Sequence, residues 1–119
     1  MKLINLLLEM FSDTLYEMSN LSKGATGLDR VIYISTKSGA MHGPRVKVYN
    51  SSVGRSRSTS ISISDNPKIV TFDGARIGGK ELKKIKQWIL LNKEVLLKHW
   101  DNEEGYQTSD EVIPQLRRL

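Results

Sequence analysis

The feature that most constrains this chain is an apolar stripe at helical spacing over residues 80–101. Leu82, Ile85, Trp88, Ile89, Val95, Leu96 and Trp100 fall on one side, while Lys83, Lys86, Lys93 and Lys98 lie mainly elsewhere. The pattern predicts one long amphipathic helix whose stripe must be covered by another layer. Four short segments upstream can supply that layer. Residues 31–35, 45–49, 59–64 and 69–72 are β-branched or alternating, and Gly, Pro, Asn or Ser clusters separate them, so they read as an antiparallel meander. In the second, Val46 and Val48 alternate with Arg45, Lys47 and Tyr49; in the third, Ile61 and Ile63 alternate with Ser60, Ser62 and Ser64. Each strand therefore has one apolar and one polar face.

Residues 1–21 form a second helical pattern. Lys2, Asn5, Glu9, Ser12, Asp13, Glu17 and Asn20 make a polar stripe, and Leu3, Ile4, Leu7, Leu8, Phe11, Leu15 and Met18 make a broad apolar face that Leu6 and Met10 extend. Such a face needs a cover, either the domain's own sheet or a second copy of the chain, which makes a homodimer through this N-terminal helix one expectation. Residues 22–29, with Gly24 and Gly27, read as the turn that follows. The expected fold is α+β: a three- to four-stranded antiparallel sheet with an N-terminal helix and a long C-terminal helix packed on one face. At 119 residues this is a single domain overall. It divides into the 1–21 helix, a basic 30–101 core and an acidic 102–119 tail that Pro114 breaks.

Several classes are excluded. Without cysteine there is no disulfide framework, thiolate metal site or cysteine nucleophile. Hydrophobic content of 39% with three prolines argues against disorder. The longest apolar runs, near residues 3–8 and 88–91, fall far below the ~20 residues that span a bilayer, so no membrane partner is expected. Lys2 precedes an apolar stretch, but Glu9 interrupts it and no small-residue cleavage site follows, so the expected location is cytoplasmic.

The formal charge of +5 hides an uneven distribution. Residues 1–29 carry two basic and four acidic side chains, residues 101–119 two and five, and residues 30–100 carry 14 and four, a net of +10. Between Arg30 and Ser64 there are six basic residues and no acid. A region of this kind attracts polyphosphate or an acidic protein surface; the plainer alternative is a solvated surface that serves solubility.

Gly74, Gly79 and Lys80 fit the start of a phosphate-binding P-loop, but Glu81 stands where a Ser or Thr would hold magnesium, and its carboxylate would repel a cradled phosphate. What survives is an anion site at the helix start, made of Arg76, Gly79 and Lys80, against the alternative of a flexible turn feeding a helix. His99, near a helix end, is expected to be structural and favoured as an imidazolium by the carbonyl dipoles. His42 lies in a loop beside basic residues, where it could serve as a general acid or base for RNA cleavage if a second such group approached; a backbone-bonded loop histidine is the alternative. No metal-ligand spacing occurs and no cofactor is expected.

The polar sheet face gathers most of the candidate groups. Arg45, Lys47 and Tyr49 would lie with Ser60, Ser62 and Ser64, Arg55 and Arg57 would extend from the hairpin tip at residues 50–58, and Tyr33 or Tyr49 could stack on a base. Four sets of residues carry a family resemblance over about residues 31–101: Val31 to Ser35, His42-Gly43-Pro44-Arg45-Val46-Lys47-Val48, Lys80-Glu81-Leu82-Lys83-Lys84-Ile85, and Leu96-Leu97-Lys98-His99-Trp100. They resemble the small bacterial domain-of-unknown-function family four-one-six-zero, with its His-x-Pro-Pro-His-x-His loop and Leu-Leu-x-x-Trp helix end. Two family histidines align with Arg45 and Lys47, which implies loss of a histidine cluster with phosphate attraction kept. The family's association with toxin–antitoxin modules implies a role on a mobile element.

Together these readings favour a small non-enzymatic protein whose basic sheet face and hairpin contact nucleic acid or a nucleic-acid-handling complex. A protein-binding inhibitor or antitoxin-like partner of a defence or toxin complex, using the N-terminal apolar face or the basic patch against an acidic protein, is the alternative, and a metal-independent ribonuclease using His42 a third.

Overall fold

In a computed structural model of the chain, residues 20–37, 41–50, 57–101 and 113–119 are described. They build an α+β arrangement. Five strands run β1 (Asn20–Leu21), β2 (Ile32–Tyr33), β3 (Arg45–Tyr49), β4 (Ser58–Ser62) and β5 (Ile69–Asp73), and they pair antiparallel in chain order. The helices are α1 (Lys23–Thr26), α2 (Gly79–Leu91) and α3 (Lys93–Trp100), and a 3-10 turn covers Ile113–Gln115. The expected meander is present, and β1 adds a strand to it.

β1 corrects the boundary of the expected N-terminal helix. Asn20 pairs with Tyr33 and Leu21 with Ile32, and Leu21 is buried in the core. Main-chain pairing at the sheet edge takes these two residues out of any helix; residues 1–19 lie outside the described part. The expected turn at 22–29 contains α1, which ends at Thr26 and is followed by Gly27 with φ of 79°. A Cβ there would sit 2.7 Å from the Leu119 carbonyl oxygen, so the bend and the close approach both call for glycine.

The alternation read in β3 and β4 decides which side is core. Val46, Val48 and Ile61 are wholly buried and share one cluster with Ile32, Ile85, Trp88, Ile89 and Leu96. Thr59, on that same side of β4, satisfies its hydroxyl by donating to the Ala75 carbonyl at 2.6 Å. Burying Trp88 in this cluster is worth several kcal/mol, since truncating a core Trp to Ala costs ~3–5 kcal/mol.

The single helix expected over 80–101 is two helices that meet at Asn92. Its backbone turns to φ −111° and ψ 12°. The buried Asn92 amide donates to the Trp88 carbonyl at 3.0 Å and to the Arg117 carbonyl at 2.9 Å, and its side-chain oxygen accepts the Arg117 N–H at 2.6 Å. A short amide that competes for backbone partners interrupts a helix in this way. Here the interruption ties the 113–119 segment to the core, and Leu119 adds an N–H donated to the Thr26 carbonyl at 2.9 Å. Among the described residues no helix is long and apolar enough to cross a membrane.

Candidate functional site

The side of the sheet away from the core cluster carries an open cleft of about 440 Å³. Strand register builds its floor. Tyr33 lies across from Lys47, Lys47 across from Ser60, and Ser60 across from Thr71, so one row crosses four strands. Arg45, two residues before Lys47, joins the row on the same face because side chains alternate along a strand.

The cations are held by different means. Lys47 Nζ stands 5.9 Å from the centre of the Tyr33 ring, within reach of a cation–π attraction. Arg45 donates from Nη1 to the Thr71 hydroxyl at 3.0 Å and from Nε to the Gly43 carbonyl at 3.3 Å. Neither forms an ion pair among the described residues, and both line the cleft. One end is closed by His42, whose ring centre lies 5.6 Å from that of Trp100 at an interplanar angle of 35°. His42 Nδ1 is 3.1 Å from the Gly43 carbonyl, the backbone bond expected of a loop histidine.

Asp73 is the one carboxylate among the described lining residues. Against Arg45 and Lys47 it leaves these described residues with a formal charge of +1 when His42 is neutral. Cations, hydroxyls and two aromatic platforms in one concave surface suit a ligand with phosphate and flat rings. The described residues bring no three His, Asp or Glu side chains together as a metal site would need.

Not every residue singled out from the sequence belongs to this cleft. Tyr33, Arg45, Lys47 and His42 meet there, but Tyr49, across from Ser58, is buried and its carbonyl accepts from Arg30 at 3.3 Å. Arg57 lies over Gly74, where a Cβ would meet Arg57 Cδ at 2.6 Å; Gly74, at φ 95°, makes room for it. Arg55 lies outside the described residues. At the start of α2, Arg76, Gly79 and Lys80 are exposed but not gathered: Lys80 lines a second concavity with Asp29, Glu81 and Lys84, and Arg76 does not. Asp29 and Glu81 there offset Lys80 and Lys84, so the described lining carries no net positive charge to hold an anion.

Sequence reasoning passed over Arg30 and Asp73. Arg30 pairs with Glu81 and donates to the Tyr49 and Arg76 carbonyls, the latter at 2.7 Å. The Glu81 that spoils a P-loop is therefore an anchor for the sheet. Asp73 was findable as the residue two after Thr71, but its place depends on a register shift between β4 and β5 that no local signal marks. Trp100 reads as core by periodicity; it is buried, yet it also lines the cleft.

His99 corrects the dipole argument. It is buried, its Nδ1 has no hydrogen-bond partner among the described residues, and burial lowers its pKa below the ordinary 6.5. A helix end favours the cation by only ~0.3–1 kcal/mol at the surface, less than the cost of burying the charge. Across the molecule, Asp65 is exposed and its hydrogen bond to Lys93 lowers its carboxyl pKa, linking the β4–β5 turn to the start of α3.

No family model, no curated protein and no solved structure matches this chain.

Proposed function

We propose that this chain is a non-enzymatic binding protein whose polar sheet face holds a single-stranded stretch of nucleic acid. The carrying observation is the row Tyr33–Lys47–Ser60–Thr71 with Arg45 beside it. It offers a ring for a base, two cations for adjacent phosphates, and hydroxyls that tolerate any sequence. His42 and Trp100 form a second aromatic wall. These two residues belong to separate parts of the resemblance to the unknown-function family, and on that basis the proposal extends to a cytoplasmic role beside a toxin–antitoxin or other mobile-element system. It takes the N-terminal segment as packing on the same side of the sheet as α2 and α3.

Fluorescence anisotropy with labelled single-stranded RNA and DNA, and an acidic peptide as competitor, tests this. Arg45→Ala with Lys47→Ala should weaken nucleic-acid binding by about 30- to 150-fold, at roughly 1–1.5 kcal/mol for each of two phosphate contacts. An acidic peptide that binds while RNA and DNA do not would transfer the cleft to a protein partner, the inhibitor or antitoxin-like alternative.

A second reading is supported by Asp73, which shares the cleft with His42. One could take the proton of a ribose 2′-hydroxyl while the other protonates the departing 5′-oxygen. RNA cleavage unchanged in both His42→Ala and Asp73→Asn would remove that reading.

A further inference from the structure

Among the described residues β5 ends the sheet, and all five of its residues are exposed. Ile69 is 44% exposed, Val70 40% and Phe72 62%, an unusual set for a free strand edge, which proteins ordinarily blunt with charge. Charges are present, but only at the two ends. Lys68 precedes the strand and Asp73 closes it, and neither forms an ion pair among the described residues.

The β4–β5 register sets the faces. Phe72 pairs with Thr59 and Ile69 with Ile61, both on the core side, because one extra residue of β5 is accommodated between them. Ile69 and Phe72 thus share a face despite their odd spacing. Lys68 exchanges bonds with Ser62, its N–H donating to the Ser62 hydroxyl at 3.1 Å and its carbonyl accepting the Ser62 N–H at 2.9 Å. That puts it on the polar side, where Asp73 also lies.

We propose that two copies of the chain join edge to edge through β5, antiparallel, about a two-fold axis normal to the sheet between Val70 and Thr71. Only an axis in that direction pairs antiparallel edges while keeping each face on its own side. It sets Ile69 across from the partner's Phe72 on one face and Lys68 across from the partner's Asp73 on the other, each twice. The strand Lys-Ile-Val-Thr-Phe-Asp is complementary to its own reverse, which favours a second copy over a foreign strand. The joined sheet would have ten strands with both clefts on one side. Their centres, between β3 and β4 of each copy, would be four strand spacings apart, ~19 Å at ~4.8 Å each.

Sedimentation velocity on the full chain over about a hundredfold range of concentration tests the proposal. The expected result is a monomer–dimer equilibrium that Phe72→Lys and Val70→Lys each weaken by more than about tenfold, with circular dichroism unchanged because both residues are exposed. Lys68→Asp alone and Asp73→Lys alone should each weaken it by about tenfold, and the double swap should bring it back to within about threefold of the original. A wild-type chain that stays monomeric overturns the proposal. So does a dimer that the β5 substitutions leave untouched, which would point to the N-terminal segment, or a double swap that restores nothing.

Discussion

Arg30 and Arg45 carry the same charge and come from the same acid-free stretch of sequence, yet the fold puts them to opposite uses. Arg30 is mostly covered, its side chain 16% exposed, and it joins Glu81 of α2 to the Tyr49 carbonyl of β3 and the Arg76 carbonyl of the approach to α2. Arg45 leans on a threonine hydroxyl and a loop carbonyl and pairs with no carboxylate among the described residues. Charge neutralised by a covered carboxylate holds elements together, whereas charge met only by neutral oxygens remains available to an incoming anion. The count of basic residues does not separate the two; their partners do.

Four substitutions or conditions would break or sharpen that contrast. The largest effect is expected at Arg30. Arg30→Met leaves Glu81 without its partner and two carbonyls without a donor, and urea unfolding should show a loss of ~3 kcal/mol, with affinity for single-stranded RNA unchanged in the protein that remains folded. A loss of RNA affinity instead would place Arg30 in the binding surface. Next is Tyr33→Ala, which removes the ring beneath Lys47 and should weaken RNA binding by about tenfold, since a stacked base is worth ~1–3 kcal/mol. Tyr33→Phe should retain most of the affinity if stacking is the contribution.

A smaller effect belongs to pH. Burial holds His99 below its ordinary 6.5, so the folded chain keeps it neutral while the unfolded chain takes up a proton as the pH drops through that value. Stability is full above the unfolded pKa of ~6.5 and declines toward the folded pKa, by at most ~1.4 kcal/mol per pH unit. Thermal melts from neutral to mildly acidic pH should show this slope, and His99→Leu should flatten it. The smallest effect is a gain. Asp73→Asn removes the carboxylate that lines the cleft, and anisotropy should show RNA bound about two- to threefold more tightly, ~0.5 kcal/mol for one screened repulsion.

The sequence showed most clearly what depends on local period. Arg45 to Tyr49 alternates, and the same five residues form β3; the pattern over 59–64 predicts the third segment one to two residues later than its place at Ser58–Ser62. Because those two strands pair as their patterns require, Lys47 and Ser60 could be put on one face before any coordinates. What escaped depends on partners far along the chain. The break at Asn92 follows from hydrogen bonds to Arg117, 25 positions on, and a two-residue strand such as β1 has no period to detect. The site divides in the same way. Arg45 and Lys47 sit on the alternating β3 and were legible from period, Tyr33 from the β-branched composition of residues 31–35, of which only Ile32–Tyr33 pair as β2, while Trp100 and Asp73 reach the cleft only through the return of α3 and the shifted register of β5.

The salt dependence of RNA binding, compared between the wild-type chain and the Arg45→Ala, Lys47→Ala variant, addresses the cleft most directly. If these two cations each hold a phosphate, the slope of log affinity against log salt should become shallower by ~1.4, at ~0.7 per contact on a single strand. Equal slopes for the two proteins, or wild-type binding that ignores salt, would contradict the assignment of this face to nucleic acid.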